Sequence, residues 1–135
     1  MNLLQKKKIS KLLARSKASF AYLFGSRATG KGVVAGSDYD FAVFFGRGNA
    51  RSRLALRLRL LSELSELLGP MKVDLIVLDD TRSTTLRFSV VNEGRLIYER
   101  DEAQRVDFEF RTLHEYEEFA PFLREYNEAY LRSAI

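Results

Sequence analysis

The residues that invite a chemical reading are three aspartates and a glycine-serine pair. Ser37-Asp38-Tyr39-Asp40-Phe41 spaces two carboxylates two residues apart. On a strand, successive side chains alternate faces, so Asp38 and Asp40 point one way and Tyr39 and Phe41 the other. Two carboxylates this close repel each other and are costly unless a cation sits between them. Mg²⁺ suits the position, because it prefers hard oxygen ligands and shares itself between carboxylates and substrate phosphates. Asp74 is the only charge in Val73-Asp74-Leu75-Ile76-Val77-Leu78. Buried and unpaired, it would cost several kcal/mol, since even a neutral polar group without partners costs roughly 2–7 kcal/mol. An ion is a natural remedy. If its strand lies beside that of Asp38 and Asp40, the three carboxylates converge. They can then hold two metal ions about 4 Å apart, one on an attacking oxygen and one on a triphosphate.

Gly25-Ser26 supplies the other half. Glycine at a strand end lets backbone approach a ligand closely, and free N–H groups at the start of a helical turn hold phosphate oxygens. Ser26 adds a hydroxyl, and Arg27 and Lys31 bring charge nearby. Gly25, Ser26, Arg27 and Ser37 are therefore the nucleotide-binding candidates, and Asp38, Asp40 and Asp74 the catalytic and metal-binding ones. The stretch is not a Walker loop: Gly25, Gly30 and Lys31 match, but Gly32 stands where Ser or Thr belongs. Each piece alone has a structural reading as a turn, a cap, or an aspartate paired with a buried arginine. In this order they favour phosphate chemistry.

The elements that must position these residues follow from periodicity. Leu3 to Ser16 has helical spacing, and Ser19 to Phe24 reads as a strand stopping at Gly25. Gly25 to Gly36 is a loop with at most a turn or two of helix. Tyr39 to Phe45 is a second strand. Asn49 or Ser52 caps a helix whose leucines recur to Leu68, where Gly69-Pro70 stops it. Lys72 to Leu78 suits a strand buried on both faces. Asp79, Asp80 and Thr81 offer caps for a short helix through Val91, Asn92-Glu93-Gly94 a turn, and Arg95 to Glu99 a last strand. Asp101 caps a long C-terminal helix in which Pro121 is expected to produce a kink or a restart. This order indicates an α/β (α+β) domain with one small mixed sheet flanked by helices.

The 135 residues suit a single domain, 1–135. Apolar residues are 46% and charged residues 30%, which argues against disorder. The absence of cysteine excludes disulfides, thiolate metal sites and a cysteine nucleophile. No apolar run reaches membrane-span length, no signal-peptide pattern opens the chain, and a cytoplasmic location is expected. A net charge of +4 favours anionic ligands without selecting one. The basic cluster Arg47–Arg59 reads as a solvated helix face, and nucleic acid is not expected as a partner.

Phe24-Gly25-Ser26, Asp38-Tyr39-Asp40 and Asp74 resemble the signature of the DNA polymerase beta-like nucleotidyltransferases. The resemblance covers Ala18 to Glu99 well and the C-terminal helix more loosely. The short length is similar to the minimal nucleotidyltransferase (MNT) group. This resemblance implies the nucleotidyltransferase fold and roles for the named residues. Asp38 and Asp40 would bind both Mg²⁺ ions. Asp74 would bind the catalytic one and help deprotonate a hydroxyl, and Gly25 and Ser26 would hold the β- and γ-phosphates. It also implies AMP transfer from ATP, and a HEPN-domain RNase toxin as partner, whose tyrosine is the acceptor. Two alternatives are an antitoxin acting by contact alone and a small-molecule (aminoglycoside-like) nucleotidyltransferase.

The chain does not resemble the toxin, which carries Arg-x4–6-His; His114, the sole histidine, has Arg111 and Arg105 at the wrong spacings. Phe108, Phe110, Tyr116, Phe119, Phe122, Tyr126 and Tyr130 are too many aromatics for one narrow stripe. They form either a wide intramolecular stripe or an interface to a toxin or a second copy.

Overall fold

A computed structural model describes residues 1–25 and 39–133. Helix α1 (Leu3–Arg15) opens on a capping box: the Asn2 side chain accepts from the Gln5 N–H while Gln5 reaches back to the Asn2 N–H. Strands β1 (Phe20–Phe24) and β2 (Tyr39–Phe44) follow. Helix α2 (Ala50–Leu68) uses both cap residues expected from the sequence, Asn49 and Ser52, in a second capping box. It stops at Gly69, whose positive φ disfavours any other residue. Then come β3 (Val73–Val77), a 3₁₀ turn over Leu78–Asp80, α3 (Thr84–Glu93), β4 (Arg95–Glu99) and α4 (Glu102–Ser133).

The sheet order is β3-β2-β1-β4. β1 pairs antiparallel with β2 and β4, and β2 pairs parallel with β3. One face, with Ala21, Leu23, Phe41, Val43 and Leu75, packs under Ile9 and Leu13 of α1 and Leu60 and Leu64 of α2. The other, with Phe20, Tyr22 and Ala42, packs under Val90 of α3 and Phe108 of α4. The alternation of odd and even positions along β1 and β2 produces this division.

Three sequence expectations change. Asp79, Asp80 and Thr81 do not cap α3; Ser83 does, accepting from the Leu86 N–H. Asp79 instead accepts from the N–H groups of Phe45 and Gly46, and Asp80 is gripped by two nitrogens of Arg53, which holds its carboxyl below the usual range. The expected turn at Asn92-Glu93 is the last turn of α3, ending at Gly94. Finally, α4 does not restart at Pro121 but runs past it as one helix. Proline there removes the bond to Glu117, which is exposed, so water can take the freed carbonyl.

β3 is also not buried on both faces, because it is an edge strand. Its outward backbone groups are capped locally. Leu75 N–H donates to the Asp74 carboxylate, Leu75 C=O accepts from Arg57 Nε, and Val77 C=O accepts from Thr81 Oγ1. That blunts the edge against pairing with another chain.

Helix α4 is bolted to β1 at Tyr22 and to Ser19 just before it. Ser19 Oγ donates to Gln104, and the Tyr22 hydroxyl donates to Glu109, whose other oxygen meets Arg105, itself paired with Glu99. Burial, then the Glu109 contact, pushes the Tyr22 phenol well above its ordinary range, so it stays a donor. Phe108 lies between these bolts, 5.5 Å from the Phe20 ring and 5.3 Å from the Phe44 ring. Phe108→Ala should therefore destabilise the fold by roughly 3–5 kcal/mol in denaturant unfolding. Phe122→Ala, on an exposed part of the same helix, should change it by no more than about 0.5 kcal/mol.

Candidate active site

The site stands at the end of the sheet where β1 finishes and β2 and β3 begin. Phe24, the last residue of β1, is paired with Asp40, the second of β2, and Asp40 is in register with Asp74, the second of β3. Registered neighbours on parallel strands share a face, so both carboxylates project from the face that also carries Ala42 and Ile76, about 4.8 Å apart at the backbone. The structure thus brings Asp40 and Asp74 together. Asp38, Ser26, Arg27 and Ser37 fall in residues 26–38, outside the described residues, so the expected convergence is seen for two of the three carboxylates.

Gly25 closes the row. Its φ is +81°, and a Cβ built there would lie 2.6 Å from an Asp40 carboxylate oxygen. A side chain there would force the Asp40 carboxylate or the turn to shift, and the left-handed backbone itself favours glycine. What Gly25 approaches closely is one of the aspartates themselves.

Asp74 differs from expectation in its surroundings. Its side chain is 49% exposed, so it is not the buried, unpaired charge that the apolar run suggested. The edge position of β3 is the reason. Asp74 Oδ1 accepts from the Leu75 N–H at 2.9 Å and lies 3.7 Å from Arg57 Nη2. The argument for a cation therefore moves from the cost of burial to the repulsion between two registered carboxylates. Among the described residues no three metal-ligating side chains cluster, and two hard oxygen donors side by side are what is described. That donor set fits Mg²⁺, which commonly takes one or two carboxylates and completes its shell with phosphate and water.

Arg57 was missed by the sequence reading, which placed it on a solvated face with the other basic residues between Arg47 and Arg59. Arg53 and Arg57, one helical turn apart on α2, both turn toward β3 and its turn. The i, i+4 spacing of two arginines on a leucine-rich helix was the only signal, and it is weak.

Residues 7–103 match the family described as Polymerase beta, Nucleotidyltransferase. No curated protein matches the chain. Among solved structures, the chain is similar to one in a complex of tri-AMPylated Shewanella oneidensis HEPN toxin with MNT antitoxin. The two are 26% identical with a TM-score of 0.69, over 99% of this chain and 98% of that one. It is likewise similar to a chain of a toxin–antitoxin structure with AMP-PNP, at 27% identity and TM-score 0.70, over 96% and 97% of the two chains. An MntA–HpeT toxin–antitoxin mutant gives 26% identity and TM-score 0.70.

Two variants probe the site. Gly25→Ala must either displace the Asp40 carboxylate or move the turn. It should reduce nucleotide transfer by about a hundredfold, at a stability cost of only about 1–2 kcal/mol from the left-handed backbone. Arg57→Gln removes a cation that competes for Asp74. A Mn²⁺ titration followed by electron paramagnetic resonance should then show binding tightened by about fivefold, the worth of a unit charge near 4 Å in water; weakened binding would mean that Arg57 supports the site instead. The chain belongs to the polymerase beta nucleotidyltransferase family.

Proposed function

We propose that this chain is the antitoxin of a HEPN/MNT pair, and that it transfers AMP from ATP to a hydroxyl of its HEPN partner, with a tyrosine as the acceptor. The observation that carries the reading is the registered pair Asp40 and Asp74 beside Gly25. It occurs in a nucleotidyltransferase whose structural relatives include an antitoxin complexed with an AMPylated HEPN toxin and a complex holding an ATP analogue.

In this reading the whole chain, 1–135, is one cytoplasmic domain. Among the described residues no helix is long and apolar enough to cross a membrane. Asp38, Asp40 and Asp74 would hold Mg²⁺, which when bound would neutralise the triphosphate and lower the proton affinity of the acceptor hydroxyl. Gly25 and Ser26 orient the β- and γ-phosphates, with Arg27 and Ser37 beside them. Asp74, half-exposed at a sheet edge, is open to the acceptor. The acceptor oxygen bonds to the α-phosphorus, its proton passes to Asp74 and then to solvent, and the bond to the bridging oxygen breaks. Pyrophosphate leaves with that electron pair.

Asp40→Asn keeps the shape of the side chain and removes its charge. Label transfer from α-labelled ATP to the HEPN protein should fall by at least about a hundredfold, and protection of cells against the toxin should be lost with it. Protection that persists without transfer would make neutralisation a matter of contact alone. Label appearing on an aminoglycoside or other small molecule, and not on protein, would reassign the acceptor.

A further inference from the structure

The row of site residues stops at a sheet edge. Gly25 follows β1, Asp40 stands on β2 and Asp74 on β3, and among the described residues no strand lies beyond β3. In a phosphoryl displacement the attacking and leaving oxygens lie roughly in line, on opposite sides of phosphorus. With pyrophosphate leaving on the Gly25 side, the acceptor arrives on the Asp74 side.

A cleft opens there. It lies between α2 and the outer edge of β3, and runs from Arg57 and Asp74 past Leu54 and Ile76 to Asp80 and Thr81. Its volume is about 430 Å³, within the range of small-molecule sites, about 300–1,000 Å³. Leu54, on its wall, is 52% exposed, a large apolar side chain that the described fold leaves uncovered. The carbonyls of Leu75 and Val77 are already taken by Arg57 and Thr81. The cleft therefore offers side-chain walls to an incoming side chain, and not a strand edge to pair with.

The polar groups at its two ends differ. At the far end Arg53 spends all three guanidinium nitrogens, two on Asp80 and the third on the carbonyls of Arg47 and Gly48. At the near end Arg57 is anchored by one nitrogen, Nε, which donates to the Leu75 carbonyl at 2.7 Å. Its Nη2 lies 3.7 Å from Asp74 Oδ1, beyond hydrogen-bond length. Among the described residues neither Nη group of Arg57 has a hydrogen-bond acceptor. The Nε bond thus aims a guanidinium with unspent N–H groups at the space beside Asp74.

Apolar walls with polar groups at one end match a side chain with an apolar ring and a polar tip. The cation adds a second selection, because it favours the charged form of an oxygen beside it. A phenol ionises at about pH 10, whereas water holds its proton far more tightly, and an aliphatic hydroxyl does likewise.

We propose that the cleft between α2 and β3 is the acceptor subsite: Leu54 and Ile76 seat the ring of a tyrosine, and Arg57 and Asp74 share its hydroxyl. Arg57 donates to the phenol oxygen while Asp74 takes the proton, so the site prefers a phenol to an aliphatic hydroxyl. This rests on the transfer reading above, and it assigns the choice of acceptor to α2.

The first test reads binding, without nucleotide. N-acetyltyrosinamide should shift the methyl resonances of Leu54 and Ile76 in NMR spectra, and N-acetylserinamide should not. The second reads transfer to the HEPN protein with ATP and Mg²⁺ saturating. Leu54→Glu should raise KM for that protein about tenfold, and Leu54→Met should restore it. Arg57→Gln should lower kcat about tenfold at pH 7. That deficit should shrink as the pH approaches the phenol's own range, where phenolate forms without the cation; a residue that only braced β3 would leave it constant. Unshifted Leu54 and Ile76 methyls would overturn the inference, as would a KM and pH profile indifferent to both substitutions. Tyrosinamide shifts at these methyls, with no label transferred by the wild type to any acceptor, would sink the transfer reading and leave the cleft standing.

Discussion

Two negative charges held side by side are the constraint around which this fold is arranged. Asp40 and Asp74 occupy registered positions on neighbouring parallel strands, an arrangement that would be repulsive in a purely structural protein. Parallel pairing of β2 and β3 needs a crossover, and α2 supplies it while covering one face of the sheet with Leu60, Leu64 and Leu68. Antiparallel β1 then brings Gly25 against Asp40, which leaves room only for hydrogen at that α-carbon. The same α2 delivers Arg57 to Asp74, so one element both makes the carboxylate pair possible and tempers it.

The two faces of the sheet serve different ends. The α1–α2 face is closed by aliphatic packing. The α3–α4 face is closed by aromatic packing around Phe20, Phe44 and Phe108, and by the polar bolts at Ser19 and Tyr22. Those bolts matter because α4 runs on past Tyr116, its last side-chain pairing with the rest of the fold among the described residues. A helix that extends past its support needs an anchor that resists rotation, and a buried hydroxyl-carboxylate-guanidinium chain has the directionality that apolar contact lacks.

Much of this was readable from residue types and spacing. Asn49 with Ser52, Gly69 and Asp101 announced helix ends because capping is a local matter. The aspartate and glycine positions announced chemistry because few structural needs explain them together. What was not readable depended on tertiary placement. Whether Val73–Val77 sits at the edge or the centre of the sheet is decided by strand order, and so the exposure of Asp74 and its arginine partner were hidden. Asp79 and Asp80 look like helix caps in sequence, but their carboxylates serve the β2 end and Arg53, segments some 30 residues away. The excess of aromatics on α4 was visible; that Phe108 is buried while Phe122, Tyr126 and Tyr130 are exposed needed the fold.

The central claim is that Asp40 and Asp74 share a divalent cation in front of Gly25. The most direct test is anomalous diffraction from crystals grown with Mn²⁺ and a non-hydrolysable ATP analogue. The account predicts an anomalous peak about 2.0–2.2 Å from carboxylate oxygens of both residues, with Asp74 turned away from the Leu75 amide. A peak elsewhere, or an Asp74 still bound to that amide and to Arg57 with nucleotide present, would contradict it.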